Sequence, residues 1–235
     1  MSQKRIWELD ALRGLCILLM VLVHFVYDLS GLFHWTPGPL YYILKQWGGG
    51  VFFVISGMSI TLGKHPVRRG LQVLGCGGLC SAATAGMYVL NLAGRDILIF
   101  FGTLHCLATC MLLWPLLRQL SIRAAAVLGC LLCVAGVALL LRPVHGPVWL
   151  LPFGILPENF ATADYFPLLP FLGVFLLGTC LGQSVYAGST GLFPHVNFKA
   201  AGISFLCLCG RNALPIYLLH QPVIACILFL LSRLP

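Results

Sequence analysis

Three ionisable residues lie in the first long apolar stretch of the sequence, and their types and spacing suit acyl transfer. Arg13 and His24 are eleven residues apart, so a helix with 3.6 residues per turn would carry both on nearly the same face. Asp28 follows His24 by four residues and shares that face. This spacing predicts that His24 is a general base and that the Asp28 carboxylate holds its ring in one tautomer.

The same residues also have a structural interpretation. Arg13 can anchor a helix end at the membrane interface, and His24 can pack through a hydrogen bond. His105 and His220 lie in later apolar stretches, where packing and chemistry fit the pattern equally well. The sequence leaves open whether the three histidines converge on one cavity.

The composition indicates a protein that lies within a membrane. Of the 235 residues, 60% are hydrophobic and 9% are charged, and the mean hydropathy is +0.97. Soluble domains carry about 25% charged residues, which excludes an ordinary soluble domain. The formal charge of +8 comes from dispersed Lys and Arg residues without a basic face, so no nucleic-acid partner is expected.

Seven apolar stretches are long enough to cross a bilayer, which takes about 20 residues per helix. We predict an all-α, polytopic transmembrane helix bundle with spans at approximately 12–33, 41–63, 70–92, 97–117, 124–142, 166–186 and 211–232. With a cytoplasmic N-terminus, the inner segments hold eight Lys and Arg residues and the outer segments four, as the positive-inside rule expects. No repeat or linker divides the chain, so 1–235 is predicted to form a single domain.

The eleven cysteines predict neither a disulfide framework nor a metal site. Almost all of them lie inside apolar runs, where cysteine behaves as a small hydrophobic residue. Cys76 and Cys80 have helical i,i+4 spacing, as do Cys106 and Cys110, but no histidine or acid completes a metal-ligand set. No metal is therefore expected.

Three further segments could contact ligands or other helices. Lys64, Arg68 and Arg69 form the densest basic cluster, which fits membrane lipid headgroups and a phosphorylated cytosolic ligand equally well. The glycines of 47–57 favour close helix packing over ligand contact. The loop 143–165 is long, apolar and rich in proline, which predicts a lid or a platform for an acceptor.

Several motifs together resemble a known group of membrane enzymes. Arg13-x10-His24 inside Leu9-Asp10-Ala11-Leu12-Arg13-Gly14, followed by 52–57, resembles the opening of the membrane acyltransferase 3 group. The fuller set, which adds 8–10, 24–28, 102–106, 164–170 and 210–222, is similar to the bacterial relatives of heparan-alpha-glucosaminide N-acetyltransferase.

The resemblance implies an integral membrane acyltransferase, located in the bacterial inner (cell) membrane. Such an enzyme takes an acyl group, usually acetyl, from cytosolic acyl-CoA and delivers it to a sugar or glycan acceptor on the far side. In the acyltransferase 3 pattern the position of His24 is the catalytic one, and Arg13 belongs to the same motif. In the lysosomal heparan enzyme the catalytic histidine lies further on, nearest here to His34.

The residues and the resemblance together assign roles to the site. His24 and Asp28 form the catalytic pair, and His220, His105 or Asn212 stabilises the oxyanion. The residues expected to hold acetyl-CoA at the cytoplasmic face are Arg13, Lys64, Arg68, Arg69, Arg211 and Asn212. Direct transfer and an acetyl-histidine intermediate both stay open.

Two other classes of function fit parts of the sequence. A transporter for a small anion or a lipid would use the membrane histidines as a proton relay, but the paired halves typical of transporters are not visible in the seven stretches. A non-catalytic membrane subunit would leave the polar residues scattered. The Leu- and Gly-rich spans could pack into a homodimer, although nothing in the sequence requires one.

Overall fold

The fold is helical throughout the part of the chain that the structure describes. In the computed structural model these residues are 6–188, 191–193 and 200–232. Within these ranges the eight α-helices are α1 (Trp7–Phe33), α2 (Pro39–Ile60), α3 (Pro66–Val89), α4 (Thr103–Leu117), α5 (Ile122–Leu141), α6 (Leu168–Val185), α7 (Ala201–Arg211) and α8 (Ala213–Leu231). Short 3-10 turns occur at Arg95–Ile97 and Val148–Phe153, and the same ranges contain no β-strand. The prediction of an all-α fold is confirmed.

Five of these helices, α1, α2, α5, α6 and α8, are long and apolar enough to cross a membrane. A helix lies at each of the seven predicted stretches, although α4 has only 15 residues and α3 carries two arginines in its first turn. That all seven cross the membrane stays a prediction. The helix α7 was not predicted, because its 11 residues are too few to span a bilayer and so gave no signal of a span.

The chain divides into two compact units, which are described separately. The first consists of Met1–Ile55 and Tyr186–Pro235, and the second of Ser56–Val185. The first unit thus contains α1, most of α2, α7 and α8. The second contains α3 to α6 and the loop 143–165, while the single domain over 1–235 stays a prediction.

In the first unit, α1 and α7 touch through their backbones at two glycines. A Cβ atom on Gly14 would overlap the carbonyl group of Leu206, and one on Gly210 would overlap the carbonyl oxygen of Asp10. Small residues are what allows helices to approach this closely in lipid. The contact places the start of α1 against the last turn of α7.

Also in the first unit, α1 and α8 run in the same direction. Ile17 packs with Ala213, and further along both helices the ring of His24 contacts that of His220. If both helices cross the membrane, the chain between them must cross it an odd number of times. The five spans predicted between the first and the last satisfy this condition.

In the second unit, neighbouring helices form two antiparallel hairpins. Gly77 on α3 faces His105 on α4, and Gly136 on α5 faces Pro170 on α6. Gly57, at the end of α2, also packs against the backbone of α6, as predicted. The packing prediction is wrong for Gly48 and Gly50, where a Cβ atom would meet no described atom within 4 Å.

The loop 143–165 is ordered by hydrogen bonds to the segment before α4 and within itself. Thr162 Oγ1 donates to the Leu98 carbonyl at 2.6 Å, and the Tyr165 hydroxyl donates to the Leu151 carbonyl at 2.7 Å. Burial raises the pKa of Tyr165 to about 12. The phenol therefore stays protonated at neutral pH and keeps donating this hydrogen bond.

The same loop caps α4 through Asp164. Its Oδ2 accepts from the Thr103 backbone N–H at 2.8 Å, and its Oδ1 accepts from the Thr103 hydroxyl at 2.9 Å. Gly102 leaves room for this carboxylate, because a Cβ atom there would overlap Asp164 Oδ2. A negative charge at a helix N-terminus also interacts favourably with the helix dipole.

Asp164→Ala should therefore lower the free energy of unfolding by about 1–2 kcal/mol, the usual effect of losing an N-terminal cap. For a chain of this size that is about 2–8 °C in the thermal unfolding midpoint, measured in detergent. Glu158→Ala is the matched control, since Glu158 is an exposed acid in the same loop. Equal midpoints for the two variants would contradict the capping role.

Candidate active site

The first unit brings two histidines together. The rings of His24 on α1 and His220 on α8 lie edge to face, with centroids 4.8 Å apart and planes inclined by 60°. Both side chains are half-buried. The sequence left open whether the histidines converge, and the structure places two of them, which are proton-accepting groups, in ring contact between two apolar helices.

His220 is held by its own helix. Its Nδ1 contacts the carbonyl oxygen of Tyr217, one turn earlier in α8, and the two rings lie 5.5 Å apart. Since a carbonyl oxygen can only accept, Nδ1 carries the proton. A neutral His220 therefore presents Nε2 as the basic nitrogen, which suits a base better than the oxyanion donor that the sequence suggested.

Asp28 has a different partner from the one expected. Its Oδ2 accepts a hydrogen bond from Nε2 of Gln221 at 2.8 Å, and within the described residues no hydrogen bond joins it to His24. One helical turn separates His24 and Asp28 along α1, and the short aspartate side chain reaches across to α8 instead. The interpretation of Asp28 as the group that orients His24 is corrected accordingly.

Two arginines share one carboxylate near the start of α1. Arg13 Nη1 lies 3.0 Å from Asp10 Oδ1, and Arg211 Nε lies 3.6 Å from Asp10 Oδ2. The Arg211 side chain is 46% exposed, against 16% for Arg13. Asn212, in the break between α7 and α8, donates from Nδ2 to the Leu208 carbonyl. Three of the six residues expected to hold the donor are therefore neighbours in this unit.

One cation near the histidines was missed by the sequence analysis. Lys45 Nζ on α2 lies 5.2 Å from the centre of the Tyr27 ring and 5.8 Å from that of Tyr41, which is cation–π geometry. Tyr27 is three residues beyond His24, on the same helix. The sequence offered no signal for this pairing, because it depends on how α1 and α2 meet.

The remaining predicted residues lie in the second unit. His105 Nε2 is 3.5 Å from Ser81 Oγ, and the His105 ring covers Gly77 on α3. Ser81 Oγ donates instead to the Ile99 carbonyl at 2.7 Å, so this serine is not poised as a nucleophile. The geometry favours packing for His105. The basic residues Lys64, Arg68 and Arg69 are exposed at and just before the first turn of α3.

Fold and site together define a polytopic, α-helical membrane protein with a histidine pair between two parallel helices. The profile of one family, described as heparan-alpha-glucosaminide N-acetyltransferase, catalytic, matches residues 5–222. The chain belongs to this family of membrane acetyltransferases. Comparison with curated proteins finds no match, and comparison with solved structures finds none.

Proposed function

We propose that this protein transfers an acetyl group from cytosolic acetyl-CoA to the amine or hydroxyl group of a sugar or glycan on the far side of the membrane. The observation that carries the proposal is the ring contact of His24 and His220 in a chain of this family. The family name indicates that the transferred group is acetyl and that the acceptor is an amino sugar. The half-buried imidazole pair supplies a base inside the membrane.

In the proposed reaction His24 is the general base. The acceptor nitrogen or oxygen attacks the thioester carbonyl, and its proton passes to His24 as the new N–C or O–C bond forms. The C–S bond then breaks, and the CoA thiolate leaves and takes up a proton. Two imidazolium cations in ring contact would repel each other, so the pair with His220 takes up one proton at a time.

The donor is proposed to enter from the side where α1 begins. Arg13 and Arg211 present two guanidinium groups around Asp10, which suits the phosphates of CoA. Arg13 precedes His24 by eleven residues, about 16 Å along a helix, which the pantetheine arm would span. Asn212 adjoins the same arginines. Lys64, Arg68 and Arg69 are proposed as further phosphate contacts.

The proposed topology has seven spans, a cytoplasmic N-terminus and a bacterial inner-membrane location. The parallel directions of α1 and α8 support an odd number of spans. The distribution of Lys and Arg, eight on inner against four on outer segments, supports the orientation. Under this topology acetyl-CoA reaches the arginines from the cytosol, and the acceptor reaches the histidines from the other face.

Reconstituted vesicles test the proposal directly. Purified protein receives acetyl-CoA labelled in the acetyl carbon on one side and glucosamine on the other, and we expect labelled N-acetylglucosamine on the glucosamine side. A parallel sample labelled in the CoA moiety should leave that label on the donor side. Passage of intact labelled acetyl-CoA or acetate would favour the alternative, a small-anion or lipid transporter with a histidine proton relay. Rapid quenching would trap label on the protein only if an acetyl-histidine forms.

A further inference from the structure

A hydrogen bond between two polar side chains joins α1 and α8 beside the histidine pair. Gln221 Nε2 on α8 donates to Asp28 Oδ2 on α1 at 2.8 Å. Both residues lie within helices that are apolar enough to cross a membrane. An interhelical hydrogen bond in such a setting contributes about 0.6–2 kcal/mol. Its position next to the candidate active site indicates more than a contribution to stability.

The hydrogen bond and the ring contact are adjacent on both helices. Gln221 directly follows His220, and Asp28 lies one turn beyond His24. Pro222 lies inside α8 and has no N–H to donate to the carbonyl of residue 218, so the helix is weakened here. At this weakened point the side-chain contact holds residue 221, and with it the adjacent His220, beside α1.

We propose that Asp28 and Gln221 form a clamp that positions His220 against His24 for acetyl transfer. The inference rests on the proposed function. Asp28 acts in the clamp as a hydrogen-bond acceptor that works through Gln221, and its negative charge is not needed. Gln221 is a positioning residue that the sequence analysis did not assign. Both roles differ from the orientation of the His24 ring by the Asp28 carboxylate that the spacing of the two residues had suggested.

Two substitutions of Asp28 separate the clamp from a charge effect. Asp28→Asn keeps an acceptor oxygen of the same reach, so kcat for acetyl transfer should stay within about threefold of wild type. Asp28→Leu keeps the branched shape and the number of side-chain heavy atoms but has no acceptor, and kcat should fall about 10- to 100-fold, because a shift of about 1 Å in a reacting group costs that much. If the aspartate charge orients His24, both variants lose activity alike.

The partner residue completes a double-mutant cycle. Gln221→Met removes the donor and keeps the length of the side chain, and its kcat should fall as far as that of Asp28→Leu. The double variant should be no worse than either single variant, since both remove the same contact. Gln72→Met, at an exposed glutamine of α3, is the matched control and should keep full activity.

The pattern of kinetic constants distinguishes positioning from folding. The clamp predicts a lower kcat with an unchanged KM for acetyl-CoA in the folded fraction of Gln221→Met. A merely structural role predicts a lower unfolding midpoint and less folded protein, with unchanged kcat per folded molecule, and would overturn the clamp. Equal losses in Asp28→Asn and Asp28→Leu would overturn it too, while leaving the acetyltransferase in place. A wild-type protein that transfers no acetyl group from acetyl-CoA would overturn the proposed function and the clamp with it.

Discussion

His24→Ala should lower kcat for acetyl transfer at least about 100-fold, because a positioned general base contributes about 10²- to 10⁴-fold. The donor phosphates are proposed to bind about 16 Å away along α1, so the KM for acetyl-CoA should change little. The measurement is initial-rate kinetics with labelled acetyl-CoA on purified, folded protein. Transfer by His24→Ala at the wild-type rate would contradict the assignment of the base.

His220→Ala should also lower kcat, and the double variant should lose little more than the worse single variant. Groups that act as a unit in one step lose activity non-additively when they are removed together. Independent losses that multiply would show that the two histidines act in separate steps. Their ring contact, with centroids 4.8 Å apart, favours the shared step.

His34 is the other candidate position for the catalytic histidine. The family resemblance allows a catalytic histidine at this later position, yet His34 is exposed at the end of α1 with a positive φ of 51°. Asparagine tolerates that conformation better than most residues, so His34→Asn tests the side chain without straining the backbone. We expect it to retain activity. The reverse result, in which the His34 variant loses activity and the His24 variant does not, would assign the general base to His34.

Features that depend on local sequence could be predicted, and those that depend on helix pairing could not. The apolar runs located helices at all seven predicted stretches, because span length and hydropathy are local properties. Asp28 was assigned to His24 because i,i+4 residues share a helix face, but sequence spacing does not include the neighbouring helix. Gln221, 193 positions away, is the actual partner of Asp28.

The packing role of the glycines also could not be predicted from the sequence. The run at Gly48–Gly50 stood out by composition, yet a Cβ atom on Gly48 or Gly50 would meet no described atom within 4 Å. Isolated glycines at positions 14 and 210 make the closest backbone approach of α1 to α7. Whether a glycine allows close helix packing can be judged only when the position of the neighbouring helix backbone is known. Helix α7, the partner in this contact, was itself too short to predict.

Gly210→Val should be the most damaging single substitution for the first unit. A side chain at this position would enter the space of the Asp10 carbonyl oxygen, and backbone cannot rotate away as a flexible side chain can. Overpacking of this kind costs about 1–3 kcal/mol or more, which is about 2–12 °C in the unfolding midpoint of a chain of this size. Gly14→Val, on the facing side of the same contact, should have a comparable effect. Thermal unfolding in detergent measures both.

The matched controls lie on the same two helices. A Cβ atom on Gly202 in α7 or on Gly31 in α1 would meet no described atom within 4 Å. Alanine is favoured over glycine in a helix by about 1 kcal/mol, so Gly202→Ala and Gly31→Ala should leave the midpoint unchanged or raise it, whereas Gly210→Ala should lower it. If Gly210→Ala matched Gly202→Ala, the helices would not meet through their backbones. The same result would contradict the ion pair of Asp10 and Arg211, because these two side chains meet only where α1 and α7 are in contact.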